Sequence, residues 1–473
     1  MVLGRPPLPC STSQSSLWLV LESQHVRPTV KFHVILVGAL CLLLSHAGSG
    51  QETPEGGELE TVRRSLDSLK ESSREFQSVF DALKNIKITG YVQTQFRSTQ
   101  SDFAGFLFGA GKFQGGTFAP NVQNELQIRR GRLKVEYRKD LTRVGIQLDA
   151  LPSEVKLKEA YLEVIEPWSG TVGLEAGVFD RPFGYEVSYS SSRIESPERA
   201  RIIQTLFPGE GDLGAKLFYV PASGPLRAFR VDAGVFTGTS PTANEYDSFK
   251  DFIGQVSVRL PLGANKTELA VGLSGYIGKV RNNTRFVYSP GDIAPGVRGF
   301  VVDSTSGNLG AGVSRNYIGA DVQFSSRILP FGQTVLRGEV IGGTQPGTVI
   351  SSVSPASQPL LAIYKRNFLG WYATVVQNIG STNQLVIRVD LYDPNTNVSS
   401  GDFISGTNLA LGDIRFTTIG FGAVHQWDDN LKLVAYYDRV MNEQLPPQSP
   451  SSLQAYTGDV RDDVFTFRIQ YKF

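Results

Sequence analysis

From Ile86 to its last residue the chain alternates apolar and polar side chains in short segments. A period of two is the signature of a β-strand with one apolar and one wet face. The final segment shows it most sharply. Phe465, Phe467, Ile469, Tyr471 and Phe473 take every second position, with Thr466, Arg468, Gln470 and Lys472 between them. The same pattern recurs at Val144-Ile146-Leu148, Val172-Leu174-Ala176-Val178, Leu269-Val271-Leu273 and Leu385-Ile387-Val389-Leu391. A chain built of such strands needs water, or a wet lumen, on its polar side.

Sixteen segments fit the pattern: 86–97, 124–138, 141–150, 155–165, 171–179, 213–220, 226–237, 250–261, 266–278, 316–327, 333–343, 364–377, 383–393, 413–426, 430–442 and 463–473. Long connections, among them 98–123, 180–212, 279–315 and 443–462, mostly alternate with tight ones such as 139–140, 328–332 and 427–429. An even strand number with short turns at one end and long loops at the other is the plan of a membrane barrel. The fold class expected is therefore all-β, a 16-stranded antiparallel transmembrane β-barrel over 86–473. Composition agrees: 49 glycines, 28 Phe and 17 Tyr, against only 2 Met and 19% charged residues. No apolar run reaches the length of a membrane-crossing helix, which excludes a polytopic helical protein and leaves a barrel open. The formal net charge of +1 argues against a nucleic-acid partner.

The first fifty residues read differently. Lys31 precedes an apolar run of 11 residues, Val34–Leu44, followed by Ser45-His46-Ala47-Gly48. That order is a secretory signal peptide over 30–50, with cleavage after Ala47 or nearer Gln51. Residues 1–29, rich in Pro and Ser, have no place in such a signal and read as an extension upstream of a true start near Val30. Residues 51–57 form a linker. Leu59, Val62, Leu66, Leu69, Ser73, Phe76, Phe80 and Leu83 then follow a heptad seam, so 51–85 is expected to hold a periplasmic helix, either one amphipathic helix or a coiled coil between subunits. Beyond residue 50 the chain has no cysteine, one histidine (His425) and one methionine (Met441). Disulfides and soft-metal sites are thereby excluded from that part, and no metal or cofactor is expected.

Several stretches, in order, resemble the phosphate-selective porin O/P family in its Bacteroidetes form. They are Ile88-Thr-Gly-Tyr-Val-Gln-Thr-Gln95, Ile128-Arg-Arg-Gly-Arg-Leu133, Arg181-Pro-Phe-Gly-Tyr-Glu186, Glu198-Arg199, Leu206-Phe-Pro-Gly209 with Asp212-Leu-Gly214, and Tyr392-Asp-Pro-Asn395. The resemblance implies a homotrimeric porin in the outer membrane, passing small anions or other hydrophilic solutes. It also implies a third long loop, here 180–212, folded inward as the constriction. The carboxy-terminal Phe473 looks like the signal read by outer-membrane assembly machinery.

Constriction candidates on this reading are Arg181, Glu186, Arg193, Glu195, Glu198, Arg199 and Arg201, with Lys216 just beyond. Guanidinium groups suit phosphate and carboxylate, and charge at a low-dielectric narrowing acts strongly on passing ions. Wall candidates on the polar strand faces are Arg129, Arg132, Lys134, Arg143, Arg230, Arg259, Arg388, Asp390 and Arg468. Gly131 is read as a bulge that shifts the parity of its strand. Phosphate-specific relatives line their constriction with an arginine ladder and a central lysine. Loop 180–212 instead has four arginines, no lysine and six acids. The implied function is passive diffusion, with anion or phosphate preference left open. The alternatives are a plugged structural or adhesive barrel, or a barrel enzyme, which would have to use His425. Gly109-Ala-Gly-Lys112 begins like a phosphate loop, but Phe113 replaces the Ser or Thr, and the stretch reads as a flexible loop. Tyr161, Trp168, Tyr219, Trp371, Tyr372 and Trp427 read as membrane-interface anchors.

Overall fold

The computed structural model describes residues 56–100, 110–241, 243–263 and 267–473. The expected signal peptide and upstream extension, 1–50, lie outside the described residues. The chain divides into two units, Met1–Ile86 and Lys87–Phe473. The first contains one continuous helix, α1 (Gly56–Lys84). Leu66, Leu69 and Leu83 of its heptad seam are exposed.

The remainder is strand after strand. β1 (Ile86–Thr99), β2 (Asn124–Lys139), β3 (Thr142–Leu151), β4 (Glu154–Ile165) and β5 (Val172–Asp180) precede a short helix, α2 (Arg201–Leu206). β6 (Gly211–Tyr219), β7 (Phe229–Phe236), β8 (Asp251–Pro261) and β9 (Glu268–Arg281) follow. Next come β10 (Val287–Ala294), β11 (Val297–Asp303), β12 (Gly312–Leu329), β13 (Gly332–Gly347) and β14 (Ile363–Ile379). The series ends with β15 (Asn383–Asp393), β16 (Phe416–Gln426), β17 (Leu431–Asn442) and β18 (Val464–Lys472).

Each barrel strand pairs antiparallel with its neighbour, and the ring closes. β18 lies against β1 from Tyr91↔Lys472 to Thr99↔Val464. Gly90 and Phe473 complete the seam with reciprocal backbone bonds of 3.1 and 3.0 Å. A Cβ at Gly90 would stand 2.5 Å from the Arg132 carbonyl and 2.6 Å from the Phe473 ring, so the seam requires glycine there. Closure leaves no unpaired edge. β10 and β11 stand outside the ring, because β9 pairs directly with β12 from Gly312↔Arg281 onward. The barrel thus has the sixteen strands expected. The segment 279–315, read from sequence as a loop, instead carries a β10–β11 hairpin. Pro290 and Pro295 hide it in the sequence, since proline is tolerated only where no ladder bond is needed.

The barrel is inside-out relative to a soluble protein. On β18, Phe465, Phe467, Ile469 and Tyr471 face outward and exposed, while Thr466, Arg468 and Gln470 are buried within. Exposed apolar side chains continue around the outside, for example Ile146, Leu174, Leu273, Ile318 and Ile387. Trp168 and Trp427 are exposed at the short-turn end. Tyr161 and Tyr372 are not interface anchors. Strand parity turns both inward, where Tyr161 donates to Glu136 at 2.9 Å and Tyr372 to Glu339 at 3.0 Å.

The lumen is partly filled. Loop 181–210 enters it and packs Phe183, Val187, Ile203, Leu206 and Phe207 against Phe179, Phe236, Tyr276, Tyr317 and Phe368 of the wall. The Phe183 and Phe207 rings lie 4.9 Å apart. Burying such rings stabilises the loop by about 1.5–3 kcal/mol each, so it is a packed element and not a free flap. Above it the long loops build a second apolar cluster of Phe300, Phe403, Leu409, Leu453 and Tyr456.

Candidate functional site

Glu198 is the point at which the loop is bound to the wall. Arg129 grips it bidentately at 2.8 and 2.9 Å. Arg130 approaches to 2.7 Å and Arg468 to 3.0 Å. Burial alone would raise this carboxyl, but the three guanidiniums overcome that penalty and hold it well below the ordinary carboxylate range. Arg388 and Arg468 also donate to the Glu198 and Pro197 carbonyls, both at 2.6 Å. The Glu198 carboxylate gathers cations from β2 and β18, and its carbonyl one from β15, onto a single turn of the loop.

Further ties run around the same side. Lys432 donates to the Ser192 carbonyl at 2.7 Å, and Gln470 to the same carbonyl at 3.0 Å. Gln93 reaches Ser191 at 3.1 Å. Arg337 forms a fork with Glu195 at 2.7 and 3.0 Å, and its guanidinium lies over the Tyr189 ring at 4.8 Å. Glu339 accepts from the Tyr185 and Glu186 amides. Within the loop, Arg199 holds Glu210 at 2.7 Å and also donates to the Glu186 and Tyr189 carbonyls. The Glu186 carboxylate accepts the Ala200 amide at 3.0 Å, and burial raises its pKa.

The opposite wall, β2 to β8, is wetter. Arg129 keeps 26% of its side chain exposed, Lys134 25%, Arg230 19% and Arg259 33%. Each is matched by a nearby acid. Arg132 pairs with Asp149, Lys134 with Glu159 and Glu136, and Arg143 with Glu163 and Glu136. Lys216 bridges Glu175 and Asp232, Arg230 also pairs with Asp232, and Arg259 pairs with Glu268. Where this wall meets the loop, Lys158 of β4 contacts both Asp180 and Glu210 at 2.8 Å. Burial works against Glu210 too, yet Arg199, Lys158 and Arg132 together keep its pKa well below normal.

Among the seventeen residues expected from sequence, the structure gathers Arg129, Glu198 and Arg468 into one cluster, while Arg199 pairs with Glu210 inside the loop. Glu186, Glu195 and Arg388 tie the same loop to itself or to the wall. Arg388 is buried beside Asp390, its partner at 3.5 Å. Arg181 is buried at the base of the loop, held by Asp212 at 3.3 Å and the Thr239 carbonyl at 2.5 Å. Arg193 is half-buried on the loop. Arg132, Lys134, Arg143, Lys216, Arg230 and Arg259 line the wetter wall, Arg132 also donating to the Ser191 hydroxyl of the loop at 3.3 Å. Arg201 stands apart. Its guanidinium packs against the Phe113 and Phe416 rings at 4.5 and 4.1 Å.

Two cations that hold the loop to the wall, Arg130 and Lys158, escaped the alternation pattern for one reason. On β2 the outward series Leu126-Ile128 resumes as Leu133-Val135-Tyr137, so the parity slips and Arg129, Arg130 and Arg132 all face inward. Between β3 and β4 the register steps from Gln147↔Glu159 to Leu148↔Leu157, leaving Lys158 as the extra residue. Bulges re-aim side chains in this way. Gly131 was a visible signal for the first; nothing in the sequence marked the second.

His425 sits at a strand end, bonded through Nδ1 to Asn383 at 2.8 Å and edge-on to Trp427. Among the described residues, no group of three His, Cys, Asp or Glu could hold a metal.

No family model matches the chain, and no curated protein does. Solved structures similar to it include an anion-selective porin from Comamonas acidovorans, at TM-score 0.47 and 11% identity over 82% of this chain and 99% of that one. The outer membrane channel DcaP of Acinetobacter baumannii gives TM-score 0.46 and 10% identity over 82% and 97%. OmpT, an outer membrane protein of Vibrio cholerae, gives 0.46 and 9% over 82% and 99%.

Proposed function

We infer that this protein is an outer-membrane porin that passes small hydrophilic solutes by diffusion. The path runs down the wetter wall past Lys134, Arg143, Arg230 and Arg259, beside the points where Arg129, Arg132 and Lys158 bind the loop. The observation that carries this reading is the asymmetry of the lumen. Arg129, Lys134, Arg230 and Arg259 on β2–β8 keep water contact, while Arg388, Lys432 and Arg468 on β15–β18 are buried against the loop. An apolar exterior on a closed barrel fits a bilayer. At the narrowing, Arg129, Arg132 and Lys158 face Asp149, Asp180 and Glu210, so the field is mixed in sign and selectivity between small ions is weak. Phosphate preference, the finer part of the family resemblance, finds no unpaired arginine ladder among the described residues to support it. The exposed seam of α1 favours a homotrimer joined through these helices; deletion of 56–84 should then weaken heat-resistant oligomers.

One observation favours a second reading, a plugged barrel. The loop is tied to wall strands on nearly every side and builds an apolar core within the lumen. Single-channel recording in a planar bilayer under a KCl gradient separates the two. Stepwise conductance with near-zero reversal potential, unaffected by added phosphate, is the expected result. Silence from folded protein would establish the plug, and phosphate block would restore a phosphate-selective reading.

A further inference from the structure

Nine arginines of the barrel unit are buried: Arg97, Arg130, Arg181, Arg199, Arg201, Arg315, Arg366, Arg388 and Arg468. Eight of them form ion pairs with a carboxylate. Arg201 is the exception among the described residues. It is 8% exposed, and its Nε has no hydrogen-bond partner. A buried charge without a partner carries a desolvation cost that the other eight offset by pairing.

Arg201 lines a cavity of about 100 Å³ that opens to solvent among the long loops. Lys112, from the Gly-Ala-Gly-Lys stretch, lines it too. The two cations face one space, and burial followed by repulsion from Arg201 lowers the Lys112 pKa. Asp390 accepts from the Arg201 backbone amide, and both it and Asp462 attract the guanidinium, but neither forms an ion pair with it. The Thr205 hydroxyl, also without a partner, lies on the same wall. Ile350, Val353, Leu411, Ile414 and Phe416 supply the cavity's apolar side, beside Ser351, Ser352 and the Asp462 carboxyl, whose pKa burial raises to about 7.

We propose that this cavity is a binding site for a small organic carboxylate with an apolar or aromatic body, its oxygens on Arg201 and Lys112 and its body among the aromatic and branched side chains. The two phenyl rings packed on the guanidinium leave its N–H edge as the polar surface, and that edge matches a carboxylate. A fully hydrated inorganic anion would leave the apolar lining unused. The site goes beyond the diffusion reading and does not require conduction, since it is tested on the solubilised barrel.

Calorimetric titration of folded, detergent-solubilised protein with benzoate tests it, with benzamide and inorganic phosphate as comparison probes. Saturable benzoate binding is expected, weakened about tenfold or more in Arg201→Gln. Lys112→Gln, a change at an exposed side chain, should weaken it by a smaller factor without touching the fold. Benzamide binding as tightly as benzoate would overturn the proposal, because an apolar pocket alone would then suffice. Phosphate binding more tightly than benzoate would overturn the organic part. Unchanged benzoate affinity in both variants would overturn the site altogether.

Discussion

The two walls of the lumen carry similar residues and use them differently. On β13–β18 and β1, Arg388, Arg468, Lys432 and Gln93 spend their donors on the backbone and carboxylates of loop 181–210. On β2–β8, Lys134, Arg143, Arg230 and Arg259 pair with neighbours on the wall itself and keep part of their surface wet. The first wall is an anchor; on the proposed reading the second is the conduit. The difference teaches that inward charge in a barrel becomes pore chemistry only where no other chain segment covers it.

The comparison breaks most visibly at Glu198. Glu198→Gln removes the one acid shared by Arg129, Arg130 and Arg468 and leaves three cations facing one another. Breaking such a buried cluster costs about 3–5 kcal/mol. Thermal unfolding should shift strongly downward and single-channel current should become noisy as the loop loosens. A variant as stable and as quiet as the parent would show that the apolar core alone holds the loop.

A smaller effect is expected at Arg388→Met, which leaves Asp390 and Asp438 uncompensated but keeps the Arg468 anchor. Stability should fall by about 3 kcal/mol with the reversal potential unmoved, as befits a sealed residue. Any clear change in ion selectivity would put Arg388 in the path. The paired change Lys134→Gln with Arg230→Gln should do the reverse. It moves the reversal potential toward cations while costing less than the Arg388 change, because Lys216 remains on Asp232 and Lys134 is partly wet. No change in selectivity would mean that solutes do not pass this wall.

The smallest effect concerns pH. Asp462 lies in the loop before β18, and burial, opposed by Arg201 and aided by Asp463 and Asp459, raises its pKa to about 7. Below about 7 its carboxyl is neutral; above it, the carboxylate competes with an incoming anion for Arg201 and repels it. Lys112 and Asp390 also face Arg201, and Tyr456 stands beside both charges. Benzoate affinity should therefore decline as pH rises from 6 to 8, and Asp462→Asn should flatten that profile. A profile still sloping in Asp462→Asn would assign the titration elsewhere.

Strand number, strand ends within a few residues, and the inward face of Arg143, Arg388 and Arg468 were all legible in the sequence. Each follows from a local property: successive side chains on an extended backbone point to opposite faces. The inward aim of Arg130 and Lys158 was not, because one extra residue at a bulge reverses parity without altering composition. The hairpin in 279–315 was hidden by its prolines. Above all, the sequence could name loop 180–212 as charged but not say which wall it covers. That was decided by contacts such as Glu198 with Arg468, 270 residues apart. Alternation is written in neighbours, whereas wetness depends on where a distant loop comes to rest, and only the closed barrel settles that.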